Sequence, residues 1–223
     1  MMGNLLHFFD PRQVWEYRDL LAQGLLVTFE LAFLTFVLAF FPGLLIALGR
    51  RLGPPWIALP LTGVVNLVRC VPTLLSVVFI YLALPFAGVT LSAFASVLLG
   101  TTIMQVVFFS EVFRGALAAV GQGQFDAAFA CGLRTIAVFR RVILPQAALV
   151  AAPAFASSLV LLVQNTAVAS AVAVNDMIGA ALTIQTNFGA PAPLVAAGLG
   201  YLVIIVPLVR LTRRWERRMA AAL

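Results

Sequence analysis

"GLLVTFELAFLTFVLAFFPGLLIALGRR" runs from Gly24 to Arg51. Between Gly24 and Gly49 the only charged residue is Glu30, and the run closes on the pair Arg50–Arg51. A helix needs roughly 20 apolar residues to cross the hydrocarbon core of a bilayer, so this run suffices for one crossing. Its apolar residues do not alternate with polar ones, which excludes a strand of a membrane barrel. The rest of the chain has the same character: of 223 residues, 63% are hydrophobic and only 10% charged. A water-soluble domain of this length would have to show far more charge at its surface. The chain therefore reads as an all-α integral membrane protein, with a single transmembrane domain over 1–223.

Four more crossings follow. The stretch from Trp56 to Phe86 is apolar but interrupted by Asn66, Arg69 and Pro72. It is too short for two spans, and we read one crossing from about Val68 to Phe86, preceded by a helical segment near the interface. Leu91–Phe113, Ala147–Val174 (with Pro153 in its first turns) and Pro193–Leu211 supply the other three. About five crossings put the termini on opposite sides. All 14 basic residues are Arg, and twelve of them fall on one side: Arg50, Arg51, Arg69, Arg114, Arg134, Arg140, Arg141, Arg210, Arg213, Arg214, Arg217 and Arg218. Only Arg12 and Arg18 fall on the other. Such a bias marks the cytoplasmic face, so the N-terminus is outside and the C-terminus inside. The arginines flank apolar runs, which points to membrane lipid and not to nucleic acid. In particular, the C-terminal "RLTRRWERRM" reads as a snorkelling anchor for anionic headgroups. The first twenty residues carry acids and arginines and lack the pattern of a cleavable signal peptide. Cys70 and Cys131 lie far apart on the cytoplasmic side and are expected to be free thiols. His7 is the lone histidine and reads as an exposed polar residue, so neither a zinc site nor histidine-dependent catalysis is expected.

Between the third and fourth crossings lies the largest cytoplasmic loop, about 114–146, with "GQFDAAFACGLRTIAVFRRVILPQ" from Gly123 to Gln146. It reads as two short helices. Asp126 is placed in the first turn, where a carboxylate suits the positive end of the helix dipole. Ala127 and Ala128 favour helix, and Gly132 stops it. Thr135 is expected to cap a second helix that runs to about Ile143 and ends at Pro145. Phe125, Phe129 and Leu133 recur every four residues and so share a face. Two readings stay open for that face: it packs back on the bundle or interface, or it is a knob for a partner's groove.

The motifs resemble the cytoplasmic signature of ABC importer membrane subunits: Glu-Ala-Ala, three residues, Gly, and about a dozen residues later a hydrophobic residue, Leu and Pro. Here these are Asp126-Ala127-Ala128, Gly132 and Ile143-Leu144-Pro145, with Asp in place of Glu. Further elements narrow the resemblance to the permeases for polar amino acids. "NLVRCVPTLLSVVFIYLALP" is similar to their Arg-Gly-x-Pro segment, with Cys70 for Gly. "SEVFRGALAAVGQGQFDAAF" is similar to Glu-x-x-Arg-Gly followed by Gly-Gln-x-Glu-Ala-Ala. "VQNTAVASAVAVND" is similar to a Lys-x-Thr block, with Gln164 where Lys is frequent.

The resemblance implies the type I importer permease fold in a bacterial cytoplasmic (inner) membrane. It also implies a second permease subunit, identical or related, separate ABC ATPase subunits, an extracellular or periplasmic solute-binding protein, and an amino-acid substrate. A permease for another small solute shares the loop and is the alternative. The coupling residues would be Gly123, Phe125, Asp126, Ala127, Ala128, Phe129, Gly132, Leu133, Leu144 and Pro145. Polar groups inside the membrane are costly and mark a path, so Gln164, Asn165, Thr166, Ser170 and Gln105 are its candidates. Each has a structural alternative, since Ser and Thr bond back to their own helix and Gln or Asn join helices. Glu111 is expected to pair with Arg114. The sequence has no Lys and so no Walker motif, which leaves ATP hydrolysis to another polypeptide. No catalytic set is present: there is no His-Glu-x-x-His, no Gly-x-Ser-x-Gly and no pair of intramembrane aspartates. No cofactor or metal is implied. The external segment from Asn175 to Pro193, with Ile178, Ala181 and Leu182 at helical spacing, reads as an outer gate, a docking surface or an inert interfacial helix.

Overall fold

The structure, a computed structural model, describes residues 10–220, without the side chains of 215, 216, 219 and 220. His7 lies outside the described residues. Those described form helices in the order α1 (Pro11–Glu16), α2 (Arg18–Leu52), α3 (Pro55–Arg69), α4 (Thr73–Ala83), α5 (Ala93–Ala119), α6 (Gln122–Ala130), α7 (Thr135–Val138), α8 (Leu144–Asn165), α9 (Met177–Phe188) and α10 (Ala192–Ala220). Three tighter or wider turns link them: 3₁₀ segments at Leu84–Ala87 and Thr166–Val172, and a π turn at Phe139–Ile143.

Among the described residues four helical stretches are long and apolar enough to cross a membrane, and the bent pair α3–α4, counted as one span, makes a fifth. The bend is 92° and falls at Cys70–Pro72. Pro72 has no N–H to continue a helix and disfavours helical backbone at Val71. The helix after the bend starts at Thr73, within the crossing of about Val68 to Phe86 that the sequence suggested.

Helix α2 is the packing axis. Its buried stripe consists mostly of small residues: Gly24, Thr28, Ala32, Thr35, Ala39, Gly43 and Ala47. Water cannot drive helices together inside lipid, so close approach and dispersion must do it, and small residues permit both. A Cβ on Gly43 would lie 2.8 Å from Phe109 Cβ and 3.0 Å from the Val106 carbonyl oxygen. Helix α5 is thus seated directly on the α2 backbone. A Thr35–Thr101 hydroxyl pair at 3.1 Å ties the same two helices at mid-span. Phe36, Phe40, Phe109, Phe113 and Phe155 fill the space where α2, α5 and α8 meet, with Phe109 and Phe155 stacked at 5.0 Å.

The two ends differ. At the outer end Leu21, Met177, Ala181, Ile184 and Ala197 join α2, α9 and α10 in one apolar cluster. At the inner end Leu117, Val120, Phe125, Ala128, Val138 and Ile143 join α5 to the cytoplasmic segment. Helix α9 packs on the bundle: Ala180, Ala181 and Ile184 are buried, while Leu182 stays exposed.

Candidate functional site

The inner segment is a folded unit. Helix α5 runs on to Ala119, so the first residues of 114–146 prolong the third crossing. Helix α6 then begins at Gln122, which puts Asp126 in its second turn and corrects the first-turn placement. Asp126 accepts a bond from Gln122 Nε2 at 3.4 Å. The stop at Gly132 is as expected. Gly132 has φ +75°, its N–H donates to the Phe129 carbonyl at 2.9 Å, and the Leu133 N–H donates to the Ala128 carbonyl at 3.2 Å. These two bonds form a Schellman motif, which satisfies the last carbonyls of α6 and needs the left-handed backbone that glycine tolerates.

The second half of the segment differs from the sequence reading. Arg134 precedes α7 as its N-cap and Thr135 is the first helical residue, so Thr135 is not the cap. Pro145 does not end the helix either. Helix α7 passes through the π turn Phe139–Ile143 straight into α8, with Pro145 in the first turn of α8. The proline ring would crowd the carbonyl four residues back, and the wider π turn gives it room. From Thr135 onward the inner segment is consequently continuous with the fourth crossing, while α6 is set off from it by the turn at Gly132.

Phe125, Phe129 and Leu133 do not share one environment. Phe125 is buried, edge-on to Phe139 at 5.6 Å between ring centroids, with the Arg51 guanidinium 5.8 Å from its ring. Ala128 is buried beside it, and Leu133, past the end of α6, is half-buried. Phe129 is 46% exposed and Ile136 81% exposed on the inner surface. Gly123, Ala127, Leu144 and Pro145 are exposed as well. The two open readings therefore divide between residues: Phe125 anchors the segment to the bundle, and Phe129 projects from it. The reason lies in the neighbours of α6, which cover Phe125 and Ala128 and leave Phe129 open, while Leu133 lies past the end of the helix.

Glu111 has more partners than the one expected. It binds Arg114 at 2.9 Å, Arg69 at 3.3 Å and Arg50. The Arg50 side chain is only 6% exposed and also donates to Thr62 Oγ1 at 3.1 Å. One carboxylate thus joins the inner ends of α2, α3 and α5. Nothing in the spacing of Arg50, Arg69 and Glu111 announces this cluster, which forms only when the helices pack.

The proposed path residues separate into two groups. Gln105 is buried and donates to Ser158 Oγ at 2.9 Å, a tie between α5 and α8. The Thr166 and Ser170 hydroxyls donate to the carbonyls of Val163 and Ala167. Gln164 is exposed and Asn165 half-buried at the end of α8. Gln164 lies about 25 Å along the span from Ala147, within the hydrocarbon depth. Ser170 also lines an outer depression of about 290 Å³ with Asn175, Thr183, Thr186 and Asn187. The last three were legible as a polar stripe at helical spacing on α9. Also unforeseen is Asp176, which is fully buried. It caps α9 by accepting from the Gly179 N–H at 2.9 Å and accepts from the Tyr201 hydroxyl at 3.1 Å. Both cysteines are free and exposed.

A helical bundle of about five candidate crossings, one of them continuous with α7 in the folded inner segment, defines a multi-pass membrane protein. Comparison with known proteins agrees. The family model for the binding-protein-dependent transport system inner membrane component matches residues 39–221, and the chain belongs to that family. A probable amino-acid ABC transporter permease of Sinorhizobium fredii is 33% identical over 195 residues, 87% of this chain and 84% of that one. A probable glutamine ABC transporter permease of Bacillus subtilis is 31% identical, over 91% of this chain and 95% of its own. Among solved structures, that of an amino acid ABC transporter with histidines superposes with TM-score 0.85 at 27% identity, covering 92% of this chain and 96% of that one. The methionine transporter MetNI in an inward-facing form shares the fold, with TM-score 0.69 at 21% identity over 93% of this chain and 94% of its own. The chain is an ABC importer permease subunit of the type I fold, a multi-pass protein of the inner membrane.

Proposed function

We propose that this subunit carries polar amino acids or close analogues across the membrane and is driven by separate ATPase subunits that dock on residues 123–145. The observation that carries the reading is the continuity of α7, the π turn and α8. A push on the segment displaces α8 as a rod instead of bending a loop. Phe125 holds the segment to the bundle, while Phe129, Ala127 and Ile136 present an apolar surface to the docked ATPase. ATP binding draws two ATPases together, each moves its docked segment, and α8 tilts with it. Gln164 rides on the far end of that rod. A primary amide facing lipid is costly, so the Gln164 face of α8 is the one turned to the solute path and to a second permease subunit. Asn165 and the outer depression at Ser170 extend this polar track. A solute-binding protein delivers at the outer end, and the permease itself hydrolyses nothing.

The test is reconstitution of the chain with the ATPase and binding protein encoded beside it. Labelled polar amino acids should enter liposomes at the expense of ATP, and Gln164→Leu should depress uptake more than ATP hydrolysis. Uptake that proceeds without the ATPase, or no stimulation of ATP hydrolysis by any polar amino acid, would overturn the proposal.

A further inference from the structure

A groove on the side of α8 away from Gln164 has no part in the reading above. Leu159 and Leu162 face it, about half a helical turn around α8 from Gln164. Its upper part is a cavity of about 420 Å³ between α2, α8 and α10, walled by Phe33, Phe36, Leu162 and Ile204 among others. Its lower part, about 440 Å³, shares Leu159, Leu208 and Leu211 with the upper and ends at Arg214 and Arg218. The two parts are adjacent and share a wall, and together they are mostly apolar and end in two basic residues. Small Ala32 on α2 helps leave it open.

We propose that this groove is a seat for one anionic phospholipid of the inner leaflet, with an acyl chain between α2, α8 and α10 and the phosphate on Arg214 and Arg218. Length supports this occupant. From Ile204 to Arg218 the helix rises ~21 Å, against ~15 Å for one leaflet of hydrocarbon, so the arginines stand at headgroup level. Charge supports it too. Arg214 and Arg218 are four residues apart and share a face, where two guanidinium groups reach one phosphate diester. Both are exposed at the groove mouth. Arg213 and Arg217 carry the same charge at the same depth but do not line the groove. A second protein on this face would have to match the shape of an apolar cleft, whereas an acyl chain fills it without any matching.

The experiment uses the full chain purified from vesicles of equal phosphatidylglycerol and phosphatidylcholine, with retained lipid counted by native mass spectrometry. Two arginines near an anionic surface should give roughly a thirtyfold preference for phosphatidylglycerol. Arg214→Gln with Arg218→Gln should bring the preference close to parity, and Arg213→Gln with Arg217→Gln should leave it in place. Leu211→Trp, at a position 65% exposed and so tolerant of bulk, should reduce retention of both lipids. Millimolar inorganic phosphate should displace neither. A variant-free arm uses phosphatidylglycerol with a photoreactive acyl chain, which should label peptides spanning 155–163 and 204–211 above all others. Equal effects of the two arginine pairs would reduce the site to diffuse surface charge and overturn the proposal. Undiminished retention by Leu211→Trp, displacement by phosphate, or labelling spread evenly over the lipid-facing helices would each do the same.

Discussion

Replacing Gly132 separates two physical accounts of the same residue. The motif alone suggests a crowded turn, in which a large side chain such as Glu would be disruptive because of its bulk. The structure replaces that account: among the described residues a Cβ built on Gly132 meets nothing within 4 Å, yet φ is +75°. The cost of substitution is therefore conformational. A residue with a Cβ held in the left-handed region costs about 1–2 kcal/mol, and Asn, which tolerates that region, costs less. The cost falls on the Schellman bonds from Gly132 and Leu133, and hence on the last turn of α6. With the purified subunit in detergent, hydrogen exchange of the α6 amides should accelerate about 5- to 30-fold in Gly132→Ala, tenfold being worth about 1.4 kcal/mol. Gly132→Glu should match Gly132→Ala, and Gly132→Asn should stay nearer the parent. In the assembled transporter Glu should fall below Ala in transport-coupled ATP hydrolysis, because its charge then meets the docked ATPase. Equal exchange in the Gly, Asn and Ala proteins would refute the strain argument, and so would a Glu variant much less protected than Ala in the isolated subunit.

Two further outcomes follow from the inner end. Glu111→Gln leaves the nearly enclosed Arg50 guanidinium short of its counter-charge and should destabilise the subunit by about 3 kcal/mol. Arg114→Gln, whose side chain is 41% exposed, should cost under about 1 kcal/mol, both read from thermal unfolding in detergent; similar losses would mean the cluster is not the tie described here. In a Cys70→Ser background, an impermeant maleimide should label Cys131 in inside-out vesicles and not in intact cells, and the reverse pattern would invert the topology.

The membrane class and about five candidate crossings were legible in the order of residues, which also sets the expected direction. They depend on transfer from water to lipid and on arginine bias, both of which act on short stretches regardless of what those stretches touch. Gly132 was legible for the same reason, since a backbone stop is a local event. The motifs also carried the family resemblance, which the comparisons bear out. Pro145 shows where local rules stop. A proline ordinarily ends a helix, but the π turn before it lets the helix pass, and that concession is tolerated because Val138 and Ile143 on either side are buried against α5 and α6.

What tertiary structure alone decided was pairing between distant segments. Phe125 and Phe129 have the same side chain and a helical spacing, yet one is enclosed and the other projects, because only the neighbours of α6 determine which side is covered. Arg50 and Arg69 count equally toward orientation in the sequence, but packing brings both onto Glu111. Leu208 and Leu211 are two more apolar residues of a span until α2 and α8 approach α10 and leave a groove between them. Composition and periodicity report the energy of each residue against its solvent, and that is enough to choose a membrane and a direction. Contacts across dozens of residues depend on the shapes of whole helices, and no short window of sequence contains them.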